Sequence, residues 1–157
     1  MPQVEFSRIF STAKSALLIL PEKADERKTA LPFLTQMQTK FSGNNLTVVV
    51  NNSIKDIPTT VARSKVVIIS REQRNFFFLP RSLELSELFK KQFDCVIDLN
   101  IALEPAATFI CKKIRSQLKI GFVKEHSDVF YNFQINPNEK TTMRQRYEQL
   151  FKTLTMF

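Results

Sequence analysis

Three short stretches of the chain, Ala16–Leu20 (ALLIL), Leu46–Val50 (LTVVV) and Lys65–Ser70 (KVVIIS), are apolar almost without interruption. The first run, unbroken by any polar residue, predicts a strand buried on both faces, as in a parallel sheet, and the two β-branched runs predict a second and a third strand. Between the first two, Ala30, Leu34, Met37 and Phe41 recur at helical spacing, which predicts a helix from Asp25 or Thr29 to about Phe41. Pro32 suits a helix that starts at Thr29 and should otherwise kink it. Ser42-Gly43-Asn44-Asn45 is the plainest turn. Phe93–Leu99 (FDCVIDL) predicts a fourth strand, preceded by a helix over about Ser82–Gln92. Pro105 opens a helix to about Arg115, because proline is tolerated in a first turn. Lys119–Phe122 and Val129–Ile135 predict two further strands. Residues 4–12 form a short helix or an ordered lead-in, with Val4, Phe6, Ile9 and Phe10 available for packing. The C-terminal segment is a helix, with Thr142 and Gln145 spaced as a capping box and Met143, Tyr147, Leu150, Phe151 and Leu154 on one face. Strands alternating with helices predict an α/β fold: a mostly parallel sheet of about six strands flanked by helices, with a C-terminal helix.

Length and composition narrow the class. The 157 residues suit a single domain over 1–157. No apolar run approaches the roughly 20 residues that cross a bilayer, and the N-terminus has no cleavable signal pattern. Cys95 and Cys111 are too few and too scattered for a disulfide framework or a zinc site, and both sit among apolar neighbours. A cytoplasmic protein with two reduced cysteines is expected. The net charge of +8 points either to an anionic partner or to the solvated faces of helices. The basic residues are dispersed and form no nucleic-acid motif, so nucleic acid is disfavoured while peripheral contact with an anionic surface stays open.

The chemistry-bearing residues are sparse. The loop Pro21-Glu22-Lys23-Ala24-Asp25-Glu26 has no glycine, and Pro21 has no N–H, so it makes a poor phosphate cradle. Asp25 and Glu26 suit a first helical turn, where carboxylates face the macrodipole favourably. Asp98 ends the fourth strand, where this fold class places ligands; it either binds a ligand together with Asn100 or caps a local turn through it. The single histidine, His126, has no nucleophile or metal-ligand set around it and reads as a surface residue. No metal and no cofactor are expected. Phe76-Phe77-Phe78-Leu79, bracketed by Arg71, Arg74 and Arg81, is a strand buried on both faces, a partner-binding patch with an arginine rim, or a surface that stacks on bases.

Four stretches together resemble one family: SALLIL followed by ALPFLTQMQTKF, FDCVIDLN, LKIGF, and MRQRYEQLFKTL. In this order they are similar to the N-terminal, acceptor-side domain of bacterial heptosyltransferases, glycosyltransferase family nine, whose GT-B arrangement pairs two Rossmann-like domains. The resemblance implies a Rossmann-like domain. It also implies that the family's glycine–acid pair, aligned on Pro32, falls on Asp25 and Glu26, leaving Glu26 as the candidate catalytic base and no glycine. Aligned this way, the chain is expected to lack the donor-binding half. The expectation is therefore a non-catalytic binding or assembly module, a subunit of a complex or a homodimer. Its partner-binding candidates are Phe76, Phe77, Phe78, Arg74, Arg81, Tyr147, Phe151 and Phe157. The alternatives are an acceptor-binding subunit of a two-chain glycosyltransferase and, third, a basic domain binding nucleic acid or another polyanion.

Overall fold

Strand order fixes where a ligand site would lie. In the computed structural model, which describes residues 3–50, 64–69 and 83–156, six parallel strands run in the order β3-β2-β1-β4-β5-β6. They are β1 (Ala16–Ile19), β2 (Leu46–Val50), β3 (Lys65–Ile68), β4 (Gln92–Asp98), β5 (Arg115–Phe122) and β6 (Phe133–Ile135). The helices are α1 (Gln3–Thr12), α2 (Ala24–Lys40), α3 (Leu83–Phe89), α4 (Pro105–Lys113) and α5 (Met143–Thr155). β1 pairs with β2 on one side and β4 on the other, with Leu18 opposite both Val48 and Ile97. This is a Rossmann-like α/β fold, and its topological switch point lies between β1 and β4. Among the described residues, no helix is long and apolar enough to cross a membrane.

The pleat sends alternate residues to opposite faces, so two cores form. One face packs Leu18, Val48, Ile97 and Ile120 against α1, α2 and α5; the other packs Leu17, Val49 and Val96 against α3 and α4. The continuous apolar run of β1 was the signal for this double burial; β1 and β2 are buried at every position, whereas in β3 only Val67 is buried and Lys65 is exposed. The capping box of α5 is present: the Gln145 N–H donates to Thr142 Oγ1, and the Thr142 N–H donates to Gln145 Oε1 at 2.9 Å.

Several boundaries differ from the sequence-based expectation, among them those of α2, β5 and β6. α2 starts at Ala24, so Pro32 lies inside it on the exposed side, where the helix loses one i→i−4 bond. β5 starts at Arg115 because its polar first half still pairs with the beginning of β4, Gln92 opposite Arg115. In residues 129–135 only Phe133–Ile135 are strand. Before them the chain makes a 3-10 turn over Ser127–Val129, and Tyr131 turns into the core instead of extending the ladder.

Candidate functional site

At the switch point the chain leaves β1 and β4 in opposite directions, and the fold customarily binds ligands in the crevice so formed. Here that place is occupied by a buried polar network centred on Asp98, the last residue of β4, which is 0% exposed. Its Oδ1 accepts from the Asn100 N–H at 3.0 Å and from Asn100 Nδ2 at 2.8 Å. Its Oδ2 accepts from the Tyr131 hydroxyl and lies 3.6 Å from the Lys124 ammonium. Lys124 is itself buried, donates to the Asn100 carbonyl at 2.7 Å, and lies 5.1 Å from the centre of the Tyr131 ring. Asn100 Oδ1 accepts from the Glu22 N–H at 2.9 Å. The Tyr147 hydroxyl donates to the Leu99 carbonyl at 2.7 Å. The loops after β1, β4 and β5 and the helix α5 are thus joined through one set of bonds, and the buried charge of Asp98 is matched by a buried cation.

The loop after β1 is held closed in the same way. Arg27, buried on α2, donates through Nη1 to the carbonyls of Pro21 at 3.3 Å and Glu22 at 2.6 Å. Asp25 Oδ1 accepts the N–H of Glu26 at 2.9 Å. Glu26 is only 5% exposed, and its carboxyl has no hydrogen-bond partner among the described residues. Burial raises its pKa above the ordinary carboxylate value; Lys23 and Lys124 oppose the rise, while Asp25 and Asp98 add to it. Glu104 caps α4, accepting from the Ala107 N–H at 2.7 Å. Burial pushes its pKa up to about 7 against the pull of that N–H, and the Glu22 carboxylate beside it adds to the rise.

The structure thus brings Glu26, Asp98 and Asn100 to one end of the sheet. Of the expected partner residues, Phe76, Phe77, Phe78, Arg74, Arg81 and Phe157 lie outside the described residues. Tyr147 is buried, with its hydroxyl engaged as above. Phe151 is half-buried, its ring 6.2 Å from Phe33 in an edge-to-face arrangement. His126 is exposed and takes a left-handed conformation at φ 57°. Cys95 and Cys111 are buried free thiols, both raised in pKa by burial and so held as unreactive thiols. Among the described residues, no group of three His, Cys, Asp or Glu side chains is placed to hold a metal ion.

Lys124, Tyr131, Arg27 and Glu104 were not anticipated. Lys124 carried a usable signal, since it follows the carboxyl end of β5, the edge of the sheet on which this fold places ligands. Tyr131 did not: inside VFYNFQI it is indistinguishable from a strand residue.

A sequence profile of a family of unknown function, DUF6913, matches residues 2–157. The chain belongs to this family. No curated protein matches it. Solved structures share the fold of this DUF6913 member. A glycosyl transferase family 9 protein from Veillonella parvula DSM 2008 superposes with a TM-score of 0.66 at 13% identity, covering 92% of this chain and 42% of that one. The E. coli heptosyltransferase WaaC, solved with ADP, gives 0.61 at 21% identity, covering 89% and 46%. The chain therefore spans somewhat less than half the length of either, and the likeness is one of fold.

Proposed function

We propose that the chain is a glycosyltransferase-derived domain working without catalysis, as a binding or assembly module within a protein complex. The observation that carries this reading is the closed loop after β1. The Glu22 N–H is taken by Asn100, the Pro21 and Glu22 carbonyls by Arg27, and the Glu26 N–H by Asp25. These backbone groups are bonded within the protein instead of facing a sugar or a phosphate, and a shared fold does not by itself carry the chemistry of its relatives.

A second reading, the acceptor-binding subunit of a two-chain glycosyltransferase, is favoured by Glu26. A buried carboxyl without a hydrogen-bond partner and with a raised pKa has the properties of a general base. Glu26→Gln separates the two. A module should keep its complex in native mass spectrometry of material purified from the source cell. Its stability should be unchanged or higher, because a neutral amide is less costly to bury than a carboxylate. Sugar transfer to a phosphorylated glycan by the wild-type complex, abolished by Glu26→Gln, would establish the second reading. A wild-type protein that purifies as an isolated monomer would remove the first.

A further inference from the structure

Helices α2 and α5 pack side by side over one face of the sheet and leave a groove along their outer seam. One part, of about 330 Å³, is floored by Phe10, Phe33, Met37, Phe151 and Leu154. The next part, of about 540 Å³, continues past Phe33 and Phe151 to Pro32 and Thr29. Gln36, Phe33 and Phe151 border both parts, so the two adjoin. From Lys28 to Lys40 the groove follows α2 over twelve residue steps, about 18 Å at 1.5 Å per residue, which is some three helical turns.

The charges along this groove are one-sided. Lys28 lines one end and Lys40 the other. Glu148 is the one acidic side chain lining either part among the described residues, and its carboxylate is bound by Arg144 Nε at 3.0 Å. The Lys40 ammonium sits 4.8 Å from the centre of the Phe10 ring, so it stands at the edge of the apolar floor. Apolar floor, cationic ends and a length of three turns match one recognition mode, an amphipathic helix laid into a groove.

We propose that the α2–α5 groove docks an acidic amphipathic helix of another protein, its apolar side on the half-buried Phe151 and its carboxylates on Lys28 and Lys40. This deepens the assembly-module reading and rests on it. The test places a photo-crosslinking benzoylphenylalanine at Gln36 of the full chain in its source cell, with Gln117, outside the groove, as the control position. Adducts from position 36 are expected to map to an acidic helical segment of a partner chain. Lys28→Glu with Lys40→Glu should reduce them at least tenfold while leaving the fold intact, since both lysines are exposed. Adducts to a second copy of this chain, to lipid, or to a segment without acidic residues would overturn the proposal. So would equal labelling from position 117, or no adduct at all. A partner that native mass spectrometry detects but that crosslinks away from Gln36 would overturn this inference and leave the assembly-module reading standing.

Discussion

At position 121 the side chain is one hydrogen atom, and the Asp98 network depends on it. The Tyr131 ring lies flat against the Gly121 backbone, so a Cβ there would come within 2.6 Å of ring atom Cε1, closer than side chains pack. An alanine must therefore push the ring away and, with it, the hydroxyl that serves Asp98. Gly121→Ala is expected to lose about 1–3 kcal/mol from overpacking, with about 1–3 kcal/mol more for the weakened bond to a buried carboxylate. Urea denaturation measures the sum, and a mutant cycle assigns the cause. In a Tyr131→Ala background, where the ring is gone, Gly121→Ala should add almost nothing. The same loss in both backgrounds would show that Gly121 acts through some other neighbour. The local bond between Asp98 and Asn100 was legible in the sequence, because an acid at the end of a buried strand, two residues before an asparagine, readily caps the turn that follows. Of their partners, Lys124 carried only the signal of its place after β5, and Tyr131 carried none, because it arrives from 33 residues away through a turn that looked like a strand.

Among the elements, α4 carries the clearest pH dependence. Its cap, Glu104, has a folded-state pKa of about 7 against 4.5 for an unperturbed group. The folded protein therefore holds a proton that the unfolded chain releases between those values. That contribution to stability is complete below about pH 4.5 and is lost as pH rises through 7. Glu104→Gln keeps an oxygen for the Ala107 N–H but cannot ionise. The gap in unfolding free energy, wild type minus variant, should fall by up to roughly 3 kcal/mol between pH 4.5 and 8. A flat difference across that range would mean the carboxyl stays ionised in the folded protein. Glu26, also raised, contributes with the same sign in both proteins and cancels from the comparison. Pro105 announced the start of α4, and β2 was legible residue for residue, because local composition decides both. The start of β5 was not: Ser116 and Gln117 are polar and precede the expected strand Lys119–Phe122, yet pairing with β4 extends the strand through them. Register along a neighbour outweighs local polarity there.

Across the whole molecule, the two cores on opposite faces of the sheet raise the question of whether they unfold together. β1 and β4 contribute to both, with Leu18 and Ile97 in one and Leu17 and Val96 in the other, so neither face can be lost without stripping the strands of the other. We expect a single cooperative transition, as in most domains of this size. The chain supplies its own reporters: it has no tryptophan and two tyrosines. Tyr131 sits in the core beneath α3 and α4, and Tyr147 in the core beneath α1, α2 and α5. Tyr147→Phe leaves only the first reporter and Tyr131→Phe only the second. Each change removes one buried hydrogen bond, a loss of about 1–3 kcal/mol, which a domain stable by about 5–15 kcal/mol survives. The two variants will differ in midpoint, so each is compared with itself. In each, the tyrosine fluorescence midpoint in urea should coincide with its own far-ultraviolet circular dichroism midpoint. If the Tyr131 signal moves at lower urea than the helical signal of the same protein, the α3–α4 face opens first and the sheet is not a single cooperative unit. Coincidence in both variants would mean that the network at the switch point and the α2–α5 groove belong to one cooperative unit. A partner held in the groove would then stabilise the closed loop after β1 as well.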